Sequence, residues 1–374
     1  MPVYDADAHV EESTDTFSDK YLDPAYRVRR PQVIGSNGQP HWLIDYQVFP
    51  RFSGPGAQSL GTPTRLGDEL SIYTKMKPES VDILELRDAK ARVEHMQTED
   101  IDLQVLYPSL FLAYNLTPDP GFAAALCSSY NRWMADVTSS QHERLKWVAA
   151  INLSDVGLAV QEVRRAKELG AVGLMIGGTA GDKLLSHPSL LPFFAEAEAQ
   201  ELPIAIHVAW SSPSFNGLFH DLYSSTLIPF VVPVMIGFIT LIGTGILDRF
   251  PGLRVGFFEA GCQWLHFVTD RMDHRWEFVH MVREKGVPAT PPGALQRSLE
   301  YIRRGSVYVS IEVEDKLLPE VVELVGAKQL LFGSDMPHND RERFSARTLR
   351  ERTDISAADK DAILHASARG FYHL

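Results

Sequence analysis

The sequence predicts a (β/α)8 barrel, on three observations. Short apolar runs alternate with helical patterns along the whole 374 residues. There are eight such runs. None is followed by Gly-x-Gly-x-x-Gly, which counts against the runner-up, an open doubly wound sheet of the nucleotide-binding kind. Near-continuous apolar runs suit strands buried on both faces of a parallel sheet. Eight of them with helices between close into a barrel.

In order, the runs are residues 3–9, 103–107, 147–152, 172–176, 204–207, 253–259, 307–311 and 330–335. The clearest intervening helix is 156–169. Val156, Val160, Val163 and Leu169 share a face, Ser154 or Asp155 caps the start, and Gly170 stands at the stop. Residues 188–200 open with Pro188, a residue suited to a first helical turn. Helical patterns also cover 121–140, 263–282, 316–325 and 357–368. Residues 10–87 break the rhythm, with Pro and Gly scattered through them, notably in the stretch 51–56. They follow the first strand, so they enter on the catalytic face, where a long insertion covers a site. The reading is one barrel domain over 1–374 with 10–87 as an inserted cap.

Composition sets the outer limits. With 45% apolar and 22% charged residues the chain is an ordinary globular one, not a disordered one. Lys and Arg total 36 against 48 Asp and Glu, a formal charge of −12, so no basic stripe is available for nucleic acid. Two cysteines, Cys127 and Cys262, make neither a disulfide framework nor a thiolate zinc site, which suits a reducing cytoplasmic setting. The first residues carry no basic segment followed by an apolar one, so no signal peptide is expected. Residues 227–247 hold no charge but contain Pro229, Pro233, Gly237, Gly243 and Gly245. We read them as a buried helix behind a Pro-rich loop, not a membrane span. So apolar a segment also suggests a homodimer or larger closed assembly, with part of it or of 10–87 at the contact.

Chemistry concentrates at strand ends. Asp7 and His9 sit two apart on the first strand, hence on one face. His207 ends the fifth strand in an apolar run, and Asp335 ends the eighth. Each alone has a plain structural reading as a polar strand end, a satisfied core histidine or a helix cap. Together they converge where barrel active sites form. Two imidazoles and two carboxylates make a shell for one divalent ion, Zn²⁺ first and Mn²⁺ as the alternative, with room for a water or substrate oxygen. Glu259 ends the sixth strand as a further carboxylate near this point. His220, in the loop after the fifth strand, is a candidate to reach a small-molecule substrate. Trp210, His338 and Glu12 are candidates to line or support the site.

With those residues in place, the chain resembles the amidohydrolase superfamily, in the branch of aminocarboxymuconate-semialdehyde decarboxylase-like enzymes. The carriers are residues 5–12, 130–133, 206–210, 248–261, Trp264, 270–273 and 332–338, so the resemblance covers almost the whole chain. It implies that His9, His207 and Asp335 are metal ligands and that Asp7 takes the first-strand ligand position, which is His or Glu in many decarboxylases of the branch. The chain departs from the branch in three places. Where those decarboxylases usually carry a histidine after the sixth strand, this chain has Glu259, which would repel an anionic substrate unless protonated or metal-bound. The segment 367–372 replaces a common Asn-Ala pair, and the insertion after strand one is longer than in the smallest members. The expectation is therefore a metal-dependent hydrolase acting on a small ring-derived acid, amide, lactone or diketone. Asp335 would act as the base toward a metal-activated water, and Glu259 would orient that water or donate a proton. The alternative is a non-oxidative decarboxylase of an aromatic or muconate-type acid, in which Asp335 protonates a ring carbon. A metal-binding scaffold without catalysis is the remaining reading.

Overall fold

The computed structural model describes residues 1–36, 39–51, 61–114, 116–288 and 293–374. Eight strands form its main sheet: β1 (Tyr4–Val10), β2 (Leu103–Pro108), β3 (Leu145–Ala150), β4 (Gly173–Gly177), β5 (Ile204–His207), β6 (Val255–Phe258), β7 (Val307–Ile311) and β8 (Leu330–Phe332). They lie in sequence order, each parallel to the next. Each of the eight predicted runs contains or overlaps one of these strands. Nearly every strand residue is buried, as expected of a sheet with side chains packed inside and helices outside.

The barrel closes between β1 and β8 without a regular ladder. The Asp7 carbonyl accepts from the N–H groups of Ser334 (3.1 Å) and Asp335 (2.9 Å), and the His9 N–H donates to Met336 O (2.5 Å). The pairing of β1 with β2 slips between Asp5 and Ala8, so Asp5 does not join Asp7 and His9 despite the spacing of two. Its buried carboxylate accepts instead from Ser334 N (2.9 Å), Ser334 Oγ (2.6 Å) and Gln104 Nε2 (3.0 Å). Behind it lies the fully buried Arg92, which donates to Gln104 Oε1 and His9 O.

The helices follow from their sequence. α1 (Ala89–Thr98) carries Arg92, and α2 (Pro120–Val137) is tied to β3 through Asn131, whose amide exchanges hydrogen bonds with both polar groups of Ala150. α3 (Val156–Leu169) has the predicted bounds, with Asp155 as its cap and Gly170 in the left-handed region at its end. α4 (Leu191–Ala199) follows a short turn beginning at Pro188. The apolar stretch breaks after Leu227 and resumes as α5 (Val232–Gly243), whose Phe238 packs edge-on against Phe257 and Trp264, both at 5.1 Å. By length and composition alone Leu222–Gly243 would suffice to cross a membrane, and 44% of its apolar 18-residue window is buried. α6 (Trp264–Glu284) and α7 (Leu318–Val325) cover β6 and β7.

In the insertion, a three-stranded antiparallel sheet (Gln32–Ser36, Gln39–Ile44, Gln47–Phe49) buries Trp42 against Phe17. Of the predicted 51–56 loop, residues 52–56 lie outside the described residues.

α5 comes so close to β4 that only glycine fits at position 178, where a Cβ would stand 1.8 Å from Pro233 O. Gly178→Ala should therefore lower the melting temperature by several degrees, the size of an overpacking cost of roughly 1–3 kcal/mol. Gly243→Ala, whose Cβ meets nothing nearer than Met272 Cε at 3.8 Å, should leave it unchanged or raise it. A thermal scan of both variants checks the pair.

Candidate functional site

At the C-terminal mouth of the barrel, β1 delivers Asp7 and His9, β5 delivers His207, and the residues just past β6 and β8 are Glu259 and Asp335. Glu259 and Asp335 both have left-handed backbone, at φ 59° and 52°, which turns their carboxyls across the mouth. Neither is glycine or asparagine, so each conformation costs about 1–3 kcal/mol and needs the surroundings to hold it. The Glu259 N–H is held by Ser310 Oγ at 2.8 Å, and the Asp335 N–H by the Asp7 carbonyl.

The side chains meet at one point. Asp7 Oδ1 lies 3.4 Å from His207 Nε2 and 3.5 Å from His9 Nε2. Asp335 Oδ1 is 3.5 Å from His9 Nε2. Glu259 Oε2 is 3.4 Å from His207 Nε2 and 3.7 Å from His9 Nε2. Each imidazole has its other nitrogen on a backbone carbonyl, His9 Nδ1 on Pro108 O and His207 Nδ1 on Val208 O, both at 3.1 Å. That places a proton on Nδ1 and turns Nε2 toward the carboxylates: protonated it pairs with Asp7, and deprotonated it is the atom that a metal ligand offers. His9 Nε2 and Glu259 Oε2 are buried with no hydrogen-bond partner among the described residues. Donor atoms held about 2.1 Å from one ion at tetrahedral angles stand about 3.4 Å apart. The residues therefore fit a divalent ion.

Charge tells the same story. Burial raises the Asp7 carboxyl, but the nearby imidazoles of His207 and His9 outweigh it and hold it below the usual carboxylate range. Burial, then the neighbouring Asp335 and Asp7, pushes Glu259 well above that range. Asp335 is pushed up to about 7 by burial, against the pull of His9. Glu312, exposed and directly after β7, adds its charge to those that push Glu259 up. Carboxylates crowd this mouth without a lysine or arginine among the converging donors, a charge that a bound cation would balance.

Of the sequence-predicted residues, Asp7, His9, His207, Asp335 and Glu259 come together. Glu259 offers its oxygen at the same point as Asp7, His9 and His207. His338 is beside them: its Nδ1 is 2.6 Å from Asp335 Oδ1, its Nε2 is 3.0 Å from Ser109 Oγ, and its ring lies 4.2 Å from that of His9. Burial lowers it to about 4, so the ring is neutral near pH 7. Glu12 is buried away from the cluster, accepting from Leu110 N at 2.8 Å. Trp210 packs in its loop, with Nε1 on Ser225 O and its ring 4.5 Å from Phe230. His220 is exposed, and no hydrogen bond or ion pair joins it to the cluster. Sequence reasoning missed Ser109 and Glu312. Both directly follow a strand, and the strand-end rule that found Asp335 applies to them too.

Three comparisons bear on this arrangement. At 25% identity, covering 77% of each chain, the sequence is similar to 2-amino-3-carboxymuconate-6-semialdehyde decarboxylase of Dictyostelium discoideum. An amidohydrolase from Mycobacterium avium subsp. paratuberculosis K-10 shares the fold over 99% of both chains, with a TM-score of 0.76 and 20% identity. A dihydroxybenzoic acid decarboxylase from Polaromonas sp. JS666, solved with manganese and the inhibitor 2-nitroresorcinol, shares it at a TM-score of 0.65 and 23% identity, over 79% of this chain and 89% of that one. The family model for amidohydrolases matches residues 86–374, which takes in seven of the eight strands and three of the five converging residues, so the chain belongs to the amidohydrolase family.

Proposed function

We propose that the chain is a metal-dependent non-oxidative decarboxylase of a small aromatic or muconate-type carboxylic acid, reversing the order of the two readings drawn from the sequence. The observation that carries it is the place of Glu259. The hydrolytic reading rested on a carboxylate outside the ligand set, free to repel an anionic substrate. With Glu259 Oε2 at 3.4 Å from His207 Nε2, its charge belongs to the ion's own shell. The decarboxylase relative supports the same reading.

Asp7, His9, His207 and Glu259 would hold the ion, with Asp335 at its edge. Three carboxylates against two imidazoles make a harder donor set than the sequence suggested, and it favours Mn²⁺ over Zn²⁺. When bound, the ion supplies a Lewis acid that fixes a substrate oxygen and draws negative charge toward it.

The proton is the protein's. Burial pushes the Asp335 carboxyl up to about 7 before any ion is bound, and we assign to it the proton that the reaction consumes. The neutral His338 receives that proton's hydrogen bond at Nδ1, while its Nε2–H donates to Ser109 Oγ. Asp335 then gives the proton to the ring carbon that bears the carboxylate. The C–C bond breaks, its electron pair restores the ring, and carbon dioxide leaves. Water at the mouth reprotonates Asp335 for the next turn.

Manganese-loaded protein should release carbon dioxide from at least one member of a panel of ortho-hydroxylated benzoates and carboxymuconate semialdehydes. Turnover confined to amides or lactones would return the hydrolytic reading. Asp335→Asn should lower kcat by about 10²–10⁴ on the active acid, the usual contribution of a proton donor. Its metal content should stay near full, because the amide oxygen remains. Glu259→Gln should lose metal as well as rate, weakening manganese affinity about tenfold or more in an equilibrium titration. Full affinity in that variant would put Glu259 outside the shell.

A further inference from the structure

In the inserted cap, exposure alternates along residues 76–80. Met76, Pro78 and Ser80 lie outside, while Lys77 and Glu79 turn toward the barrel. Residues two apart on an extended segment share a face and stand about 7 Å apart. Both side chains are nearly inaccessible, 7% exposed for Lys77 and 2% for Glu79. Each reaches a loop of the barrel mouth. Lys77 Nζ donates to Glu11 Oε1, in the segment that follows His9. Glu79 Oε1 accepts from Arg341 Nη2 at 3.1 Å, in the loop that follows Asp335. Of residues 339–344 only Arg341 is not exposed. Glu99, directly after α1, holds it through two further hydrogen bonds of 2.8 and 2.7 Å. His95 of α1 stands 3.5 Å from the same Glu79 oxygen.

We propose that residues 77–79 form a strap across the mouth, with Lys77, Glu79 and Arg341 as positioning residues for the Asp335–His338 pair. The proposal rests on the reading of Asp335 as the proton donor. Asp335 and His338 lie outside any helix or strand, in a loop tied down at both ends. Its start is fixed by the Asp7 carbonyl, which takes the N–H groups of Ser334 and Asp335. Its far end is anchored through Arg341. Between these points His338 must keep Nδ1 on Asp335 and Nε2 on Ser109. The strap links the far anchor to Glu11, and so to the strand that bears Asp7 and His9. Lys77 and Glu11 also stand close enough to His338 for both charges to act on it. Buried ion pairs add little net stability, since desolvation offsets their attraction, but an unpaired partner is costly. A slip of the strap by one residue would turn both of its charges into water and leave Glu11 without its ammonium. One alignment of cap on barrel is thereby selected.

Hydrogen–deuterium exchange on the manganese-loaded chain tests the strap without any substrate. Lys77 makes its own hydrogen bonds to Glu11 and Thr74, not to the loop after β8. Lys77→Met should nevertheless speed exchange at the bonded amides of Ser334, Asp335, Met336 and His338 by about tenfold or more. Lys77→Arg should leave them unchanged. Glu79→Leu should act like Lys77→Met, and because Arg341 keeps Glu99 its fold should hold. The two substitutions together should do no more than either alone, being two ends of one strap. On an acid that the unaltered chain decarboxylates, each should lower kcat about ten- to a hundredfold, with KM and manganese affinity within about twofold. Faster exchange confined to residues 9–14 in Lys77→Met, effects of the two substitutions that multiply, or a loss carried by KM or by metal binding would overturn the proposal. An unaltered chain that releases carbon dioxide from no acid would overturn the decarboxylase reading instead, and the exchange rates would then decide on the strap by themselves.

Discussion

The Asp7 carbonyl oxygen is where the first and last strands are joined, and the geometry of the mouth hangs on it. It accepts from the N–H groups of Ser334 and Asp335 together, so the peptide that carries one converging carboxylate also holds the peptide that carries another. The separation of Asp7 from Asp335 is thus set by backbone hydrogen bonds, not by side-chain rotamers. Below this joint the Asp5 carboxylate takes up Ser334 a second time, and Gln104 and Arg92 brace it from the side of β2 and α1. Groups so fully buried contribute by being fully satisfied: removing one partner leaves the others unpaired in a medium of low dielectric.

What the joint assembles is unfavourable by itself. Asp7, Glu259, Asp335 and Glu312 are brought together in a chain that already carries a net charge of −12. The nearby Lys77, almost buried, is paired with Glu11. Two of the converging residues also adopt backbone conformations that side chains disfavour. Repulsion and strain at one spot are the mark of a place kept for its chemistry, and a divalent cation there would relieve the repulsion.

Strands and most helices were readable because their signals are local. Buried runs and a 3.6-residue repeat survive without knowledge of the rest of the chain, which is why α3 matches to the residue. The clustering of Asp7, His9, His207 and Asp335 was readable because the barrel rule turns a strand end into a place in space. Glu259 was found by the same rule, but its closeness to the two imidazoles was not readable, since no composition signal announces the left-handed turn at its Cα. The slip in β1 that removes Asp5 from the shared face was equally silent. His220 was weighed on loop position alone, and the loop carries it into solvent.

The joint between β1 and β8 also dictates an order of events. Asp5 finds Ser334 across 329 residues of chain, and the Tyr372 hydroxyl finds Ala6 O across 366. Contacts so distant in sequence form late, because the loop they close must first be filled with its own structure. On a ribosome that makes the chain from its amino end, β1 emerges first and waits longest, with an open edge that nothing in the nascent barrel covers. Asp7 and His9 are among the first functional residues made, yet they stay unassembled until Asp335 has left the tunnel. An ion captured earlier would be held by an incomplete set. Any delay in making β8 therefore lengthens the time in which the first strand is exposed to other chains.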